Sequence, residues 1–158
     1  MFSKIECGGR RLIVVDMENI VGGAVMTVEA GVWVRSEIVA VIGERAGDQV
    51  VIGTARNGCL NAGLSWGGAR RVMRDGASGA DLALLEVLTE NVESRFAEVV
   101  IISGDHIFSE RVSEFAGAGL KTMVVGVRGS TATALRLAAH ETKYIPTTYN
   151  QAMAKDAA

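Results

Sequence analysis

Proline occurs once in the 158-residue chain, at position 146, and cysteine only twice, at Cys7 and Cys59. The two thiols show no CxxC spacing and have no metal-ligand company, which excludes a disulfide frame and predicts free thiols in a reducing compartment. Histidine is equally scarce, with His106 and His140 alone, so no His/Cys set for zinc is present. No stretch approaches the roughly 20 apolar residues of a membrane span. The opening MFSKIECGGRR holds no apolar h-region, so no secretory signal is expected. A formal net charge of −2 supplies no bulk basic field for non-specific nucleic-acid binding, while leaving room for a local basic rim. These absences predict a soluble, cytoplasmic protein with no membrane contact.

What the chain does have is apolar material, 49% of its residues, which excludes a disordered chain and suffices for one core. Its length suits one ordinary domain and is too short for two. Glycine, at 19 residues, suits tight turns between close-packed strands and helices. There is no internal repeat, linker or low-complexity segment. Residues 1–10 and 147–158 are expected as loosely held termini around a single domain over 11–146.

Short apolar runs alternate with helical patterns along that domain. RLIVVD (11–16), DQVVIGTA (48–55), ARRVMRDG (69–76), EVVIIS (98–103) and KTMVVGV (121–127) are predicted strands, with KYIP (143–146) as a short edge piece. Helices are predicted over 31–43, 79–92, 107–119 and 130–140. In them Val34, Ile38 and Val41, then Leu82, Leu85 and Leu88, then Phe108, Val112 and Phe115 supply the apolar faces, and Ser130 is the predicted N-cap of the last. The apolar 20–43 region, with Val21, Val25, Met26 and Trp33, is read as core, with a homodimer face as the alternative. Strands separated by helices imply right-handed crossovers: an α/β fold, a three-layer α/β/α sandwich with a mostly parallel central sheet.

In such a sheet, ligands bind beyond the carboxyl ends of the strands. Asp16 ends the first strand, with Glu18 and Asn19 in the following loop. Asp105 follows the VVIIS strand, and Asp81 lies in the first turn of its helix. Asp16, Asp81, Asp105 and the Asn19 amide are therefore expected at one edge, whereas Asp48 starts its strand and lies at the other. Crowded carboxylates repel, and one pKa must rise unless a cation neutralises them. Oxygen ligands of this kind suit Mg²⁺ or Mn²⁺, which can polarise a phosphate and activate water for phosphodiester hydrolysis. Plainer roles are open at the same positions: Asp16 as a turn residue, Asp81 as partner of Ser78 in an S-x-x-D capping box, Asp105 as a helix cap. Trp66 reads as packed under a loop and His106 as a wet loop residue. Arg74 belongs to the densest basic cluster, Arg70, Arg71 and Arg74. A regular strand would send Arg71 to the opposite side from the other two. Arg128 and Ser130, just past the last strong strand, are candidates to meet a phosphate.

Four motifs, in order, carry a family resemblance: VVDMENI, DGASGADLALL, VVIISGDHIF and GLKTMVVGVRGSTATALRLAAH. Together they resemble the NYN domain, a branch of the PIN-like nuclease superfamily, over about residues 11–146. The resemblance implies a PIN-like α/β/α sandwich, an acidic pocket binding Mg²⁺ or Mn²⁺, RNA as partner and, in active members, endonucleolytic cleavage. Asp16, Asn19, Asp81 and Asp105 fall on the family's metal positions, with Asp16, Asp81 and Asp105 catalytic. Asn19, Ser103, Arg74, Arg128 and Ser130 are the expected substrate contacts. Ile107 departs from the family's SGD-x-D-F block, which places a second acid there. That departure makes a catalytically weak or inactive NYN-type module, binding RNA or protein, the alternative. A phosphatase or nucleotide-binding domain would want a D-x-D pair or a glycine fingerprint after the first strand, and neither is present.

Overall fold

The computed structural model describes residues 9–158, so Cys7 and nearly all of the expected N-terminal tail lie outside the described residues. The chain runs β1 (Arg11–Asp16), α1 (Met17–Val21), α2 (Val28–Ile42), β2 (Gln49–Thr54), α3 (Cys59–Ser65), β3 (Arg70–Met73), α4 (Gly79–Val87), α5 (Val92–Arg95), β4 (Glu98–Ile102), α6 (Ser109–Gly117), β5 (Lys121–Val127), α7 (Thr133–Ala138), β6 (Glu141–Ile145) and α8 (Tyr149–Asp156). Every strand pairing is parallel. The sheet order is β3-β2-β1-β4-β5-β6. The apolar runs are β-branched and continuous because the central strands are covered on both faces. No helix among the described residues is long and apolar enough to cross a membrane.

Alternation along the strands divides the core in two. Ile13, Val15, Val100, Ile102 and Val125 pack with Ile20, Val34 and Ile38 on one face. Leu12, Val14, Val99, Ile101 and Val124 pack with Leu84, Leu88, Phe96, Phe115 and Leu135 on the other. The result is a three-layer α/β/α sandwich with an all-parallel sheet. In the apolar 20–43 region, Val21 and Val25 belong to the core and Trp33 packs against it, whereas Met26 is exposed.

Three expectations are corrected. The 147–158 segment is not loose. Thr148 and Gln151 form a reciprocal capping box at the start of α8, and Tyr149 meets the Trp33 ring edge-on at 5.7 Å. In α4 the buried side is Ala80, Ala83, Leu84 and Val87, whereas Leu82 is exposed. The helix is apolar nearly all round, so periodicity alone could not select its inner face. Ser130 is not an N-cap. α7 starts three residues later behind Ala132, because residues 128–131 form a turn in which the Thr131 hydroxyl donates back to the Val127 carbonyl.

At the amino edge of the sheet, Arg11 is a buried cation. It donates to both Asp48 carboxylate oxygens, at 2.9 and 2.6 Å, and to the Ile42 and Gly43 carbonyls. Burial works against ionisation of Asp48, but the bonds from Arg11 and from the Arg45 amide outweigh it and hold the carboxyl below its usual pKa. Asp48 thus has a structural task at the edge opposite the other acids. Removing it strands the guanidinium, so Asp48→Ala is expected to lower the unfolding free energy by about 3 kcal/mol at pH 7. A group with a depressed folded-state pKa stabilises above its unfolded value near 3.9 and loses that contribution as pH falls through the folded value. Urea titrations of the two proteins at pH 7 and at pH 3 should therefore converge at the lower pH.

Candidate functional site

Strand order reverses between β1 and β4, where β1 turns its chain one way and β4 the other. The two departing loops leave a crevice at the carboxyl edge. Asp16, Glu18 and Asn19 enter it from β1 and α1, and Asp105 from the loop after β4. Asp81 enters from the first turn of α4. These side chains, with Ala55, Gly76, Ala77, Ser78 and Ala80, line a pocket of about 150 Å³. A larger cleft of about 360 Å³ lies at the amino edge beside Asp48 and Trp66, away from these acids.

Two glycines permit the close approaches that shape the pocket. A Cβ at Gly79 would run into the Arg74 carbonyl, and one at Gly104 into the Ser130 carbonyl. Gly104 also accepts from the Ala132 amide at 2.9 Å, tying the loops after β4 and β5 together. No Ser78 side-chain cap forms on α4, so the expected capping box is absent and Asp81 is left to interact with the other acids.

Asp16 is 4% exposed. Burial, then the negative charge of Asp81 and a hydrogen bond with it, push the Asp16 carboxyl up to about 8, against the opposing bond from Ser103. Asp81 is raised as well. Burial acts first, and the charges of Asp105 and Glu18 add to it, while its bond with Asp16 acts in the opposite sense. Both carboxyls are thus disfavoured as anions, Asp16 the more strongly because it is the more deeply buried. Among the described residues, no lysine or arginine lines the pocket to offset this charge. Among the described residues, no three His, Cys, Asp or Glu side chains are disposed as a ready-made chelate.

The surrounding bonds fix the loops. Ser103 Oγ donates to Asp16 Oδ2 at 2.8 Å and accepts from the Asp105 amide at 3.1 Å. Asn19 Oδ1 accepts from the Gly104 amide at 3.0 Å. Asp105 Oδ1 accepts from the Ile107 amide at 3.0 Å, so Asp105 is both a cap and a wall of the pocket. His106 is exposed, 3.3 Å from Asp105.

The structure thus brings Asp16, Asn19, Asp81 and Asp105 together and separates several expected substrate contacts. Ser103 is fully buried and holds Asp16, so it cannot touch a substrate. Arg74 pairs with Glu86 at 3.0 Å, along the outside of α4. Arg70 forms a fork with Glu90, while Arg71 turns towards Gly63 of α3, as strand alternation requires. Arg128 faces a neighbouring cleft, whereas Ser130 contributes its backbone to the wall behind Gly104. Trp66 is packed, under Arg35. Glu18 was absent from the expected site. It lines the pocket, and its Oε1 accepts from the Ala55 amide at 2.5 Å. Its place two residues after Asp16 was the available signal.

A crystal structure of a Vibrio parahaemolyticus protein of unknown function is similar to this chain. The TM-score is 0.57 and the identity 17%, covering 87% of this chain and 93% of that one. At that identity the likeness bears on architecture alone. No protein-family model matches the sequence, and no curated protein matches it.

Because the folded-state pKa of Asp16 lies above its unfolded value near 3.9, the sign is opposite to that of Asp48. Asp16 favours the fold below about pH 4 and erodes it as pH rises towards 8. In chelator-treated protein, Asp16→Asn is expected to raise Tm at pH 8 by about 3–6 °C, roughly 1–2 kcal/mol. The gain should vanish near pH 4. Calorimetry across that range checks it, and a variant less stable than wild type at pH 8 would contradict a strained carboxylate.

Proposed function

We propose that the chain is an NYN-type, metal-dependent endoribonuclease whose acidic pocket at the β1–β4 crevice hydrolyses RNA phosphodiester bonds. The observation that carries this reading is the gathering of Asp16, Asp81 and Asp105, with Glu18, in one pocket that no basic side chain among the described residues lines. The donor set fits a small hard cation, since Mg²⁺ takes one or two carboxylates directly and fills its other positions with water and substrate phosphate. Asp16, Asp81 and Asp105 would hold Mg²⁺ or Mn²⁺ in this reading. The ion supplies Lewis-acid stabilisation of the phosphate and lowers the pKa of an attacking water.

The chain's own part is preorganisation. Asp16 and Asp81 would be held ionised beside a bound cation in this reading. Ser103 keeps Asp16 in one orientation through its hydroxyl bond. The Ile107 amide fixes Oδ1 of Asp105. Asn19 acts here as a clamp on Gly104 that sets the distance between the two loops. The proposed compartment is the cytoplasm, where the free Cys59 thiol stays reduced.

A second reading has its own observation. Ile107 stands where the NYN pattern has another acid, and its side chain packs against the core. The pocket would then bind RNA or a protein without cutting.

Labelled single-stranded RNA incubated with Mn²⁺ or Mg²⁺ separates the two. The expected result is internal cleavage that Asp16→Asn reduces by about 100-fold or more, more than the loss of an outer-shell partner costs. Cleavage that survives the substitution indicates a contaminant. Binding without cleavage under both ions favours the module.

A further inference from the structure

The loop after β5 touches the loop that carries Asp105, at Gly104, and it borders a second cleft of about 440 Å³. Arg128, Gly129, Thr131, Thr133, Arg136 and Tyr144 line it. Arg128 follows β5 at the carboxyl edge, the edge that carries the acids. The ion pairs among the described residues engage Arg11, Arg35, Arg45, Arg56, Arg70, Arg74 and Arg111, but neither arginine of this cleft. In a chain of net charge −2, two exposed guanidiniums sharing one cleft without a carboxylate are a local excess of positive charge.

Both guanidiniums are held without being neutralised. Arg128 lies over the Tyr144 ring, 5.1 Å from its centroid. A cation over an aromatic face keeps its full charge and leaves its in-plane N–H groups for other acceptors. Arg136 donates one hydrogen bond to Thr133 Oγ1 at 3.0 Å, which leaves further donors on the guanidinium and the hydroxyl hydrogen of Thr133. Thr131 is spent on the Val127 carbonyl and contributes shape only. A planar fork beside a hydroxyl donor matches the oxygens of a phosphodiester.

From this juxtaposition we propose that the Arg128–Arg136 cleft is a phosphate subsite for single-stranded RNA, gripping a backbone phosphate beside the one presented to Asp105. This rests on the ribonuclease reading and names how that site acquires its substrate. The acidic pocket alone repels a polyanion. A basic cleft on the loop that touches Gly104 provides the attraction that draws the strand across Asp105.

The test measures binding of a fluorescent single-stranded RNA oligonucleotide to the full chain, with chelator and with Mn²⁺, at several salt concentrations. Wild type, Arg128→Ala/Arg136→Ala and a control, Lys121→Ala at the amino end of β5, are compared, with Tm recorded for each. The double variant is expected to bind about 10-fold more weakly at unchanged Tm. The slope of log K against log salt should also fall by about 0.7 for each phosphate the double variant leaves unneutralised. Lys121→Ala should behave as wild type, and Arg128→Lys should recover part of the affinity because charge is kept and the fork is not. Equal affinity and slope in wild type and double variant would overturn the subsite, whether or not RNA is cut. Arginine-dependent binding with no cleavage under Mn²⁺ would overturn the ribonuclease reading and keep the subsite. If inorganic phosphate stabilises wild type but not the double variant, and RNA does not bind, the cleft takes small anions and the RNA assignment fails.

Discussion

Asp16 is a carboxyl group almost excluded from water, at the end of a central strand, beside a second carboxyl and in a pocket that no basic side chain among the described residues lines. Most of the site's architecture answers that one unfavourable arrangement. Burial and the neighbouring Asp81 charge both raise the Asp16 pKa, so its ionised form is disfavoured. The Ser103 hydroxyl and the Asn19 backbone amide donate to Asp16, and the Asn19 and Asp105 side chains each hold a backbone amide that prevents the loops from relaxing apart. A fold that left this pair uncompensated would be expected to separate them; this one binds the loops on both sides.

The position of that arrangement follows from topology. With six parallel strands in the order β3-β2-β1-β4-β5-β6, only the β1–β4 junction sends its two crossovers to opposite sides, and only there does the sheet edge open. The acids on the β1 side and the arginines beyond β5 then lie on one rim with Gly104 between them. At the other rim, Arg11 and Asp48 satisfy one another and are structural. Asp16 and Asp48 thus have opposite electrostatic circumstances, because one meets a carboxylate and the other meets a guanidinium.

The fold was legible because its signals are local. Continuous apolar runs such as RLIVVD and EVVIIS can be little else than strands covered on both faces, and their alternation with helices dictated a parallel sheet. That sheet rule alone brought Asp16, Asp81 and Asp105 to one edge. What sequence could not carry was the partner of each side chain. Arg74 has its acceptor, Glu86, one helix away, and no spacing rule couples a strand end to a helix face. Ser103 has the chemistry of a substrate contact, but its hydroxyl is turned into the core. Arg136 and Tyr144 carry no signal because nothing in STATALRLAAH or KYIP shows that they border one cleft with Arg128. The α8 helix is hard to see although Thr148 and Gln151 have capping-box spacing, because its composition is small and polar and its anchor is Tyr149 on Trp33.

Ser103 and Asp16 are 87 positions apart, and the strand that brings them together, β4, sits between β1 and β5 in the finished sheet. Pairing over such a separation is slow, because the entropy of closing the loop is lost before the contacts form. A nascent chain that has emerged only as far as α4 already carries Asp16 and Asp81 but has no β4 to set beside β1. The pocket is therefore incomplete until synthesis has passed the Ser103-Gly104-Asp105 turn.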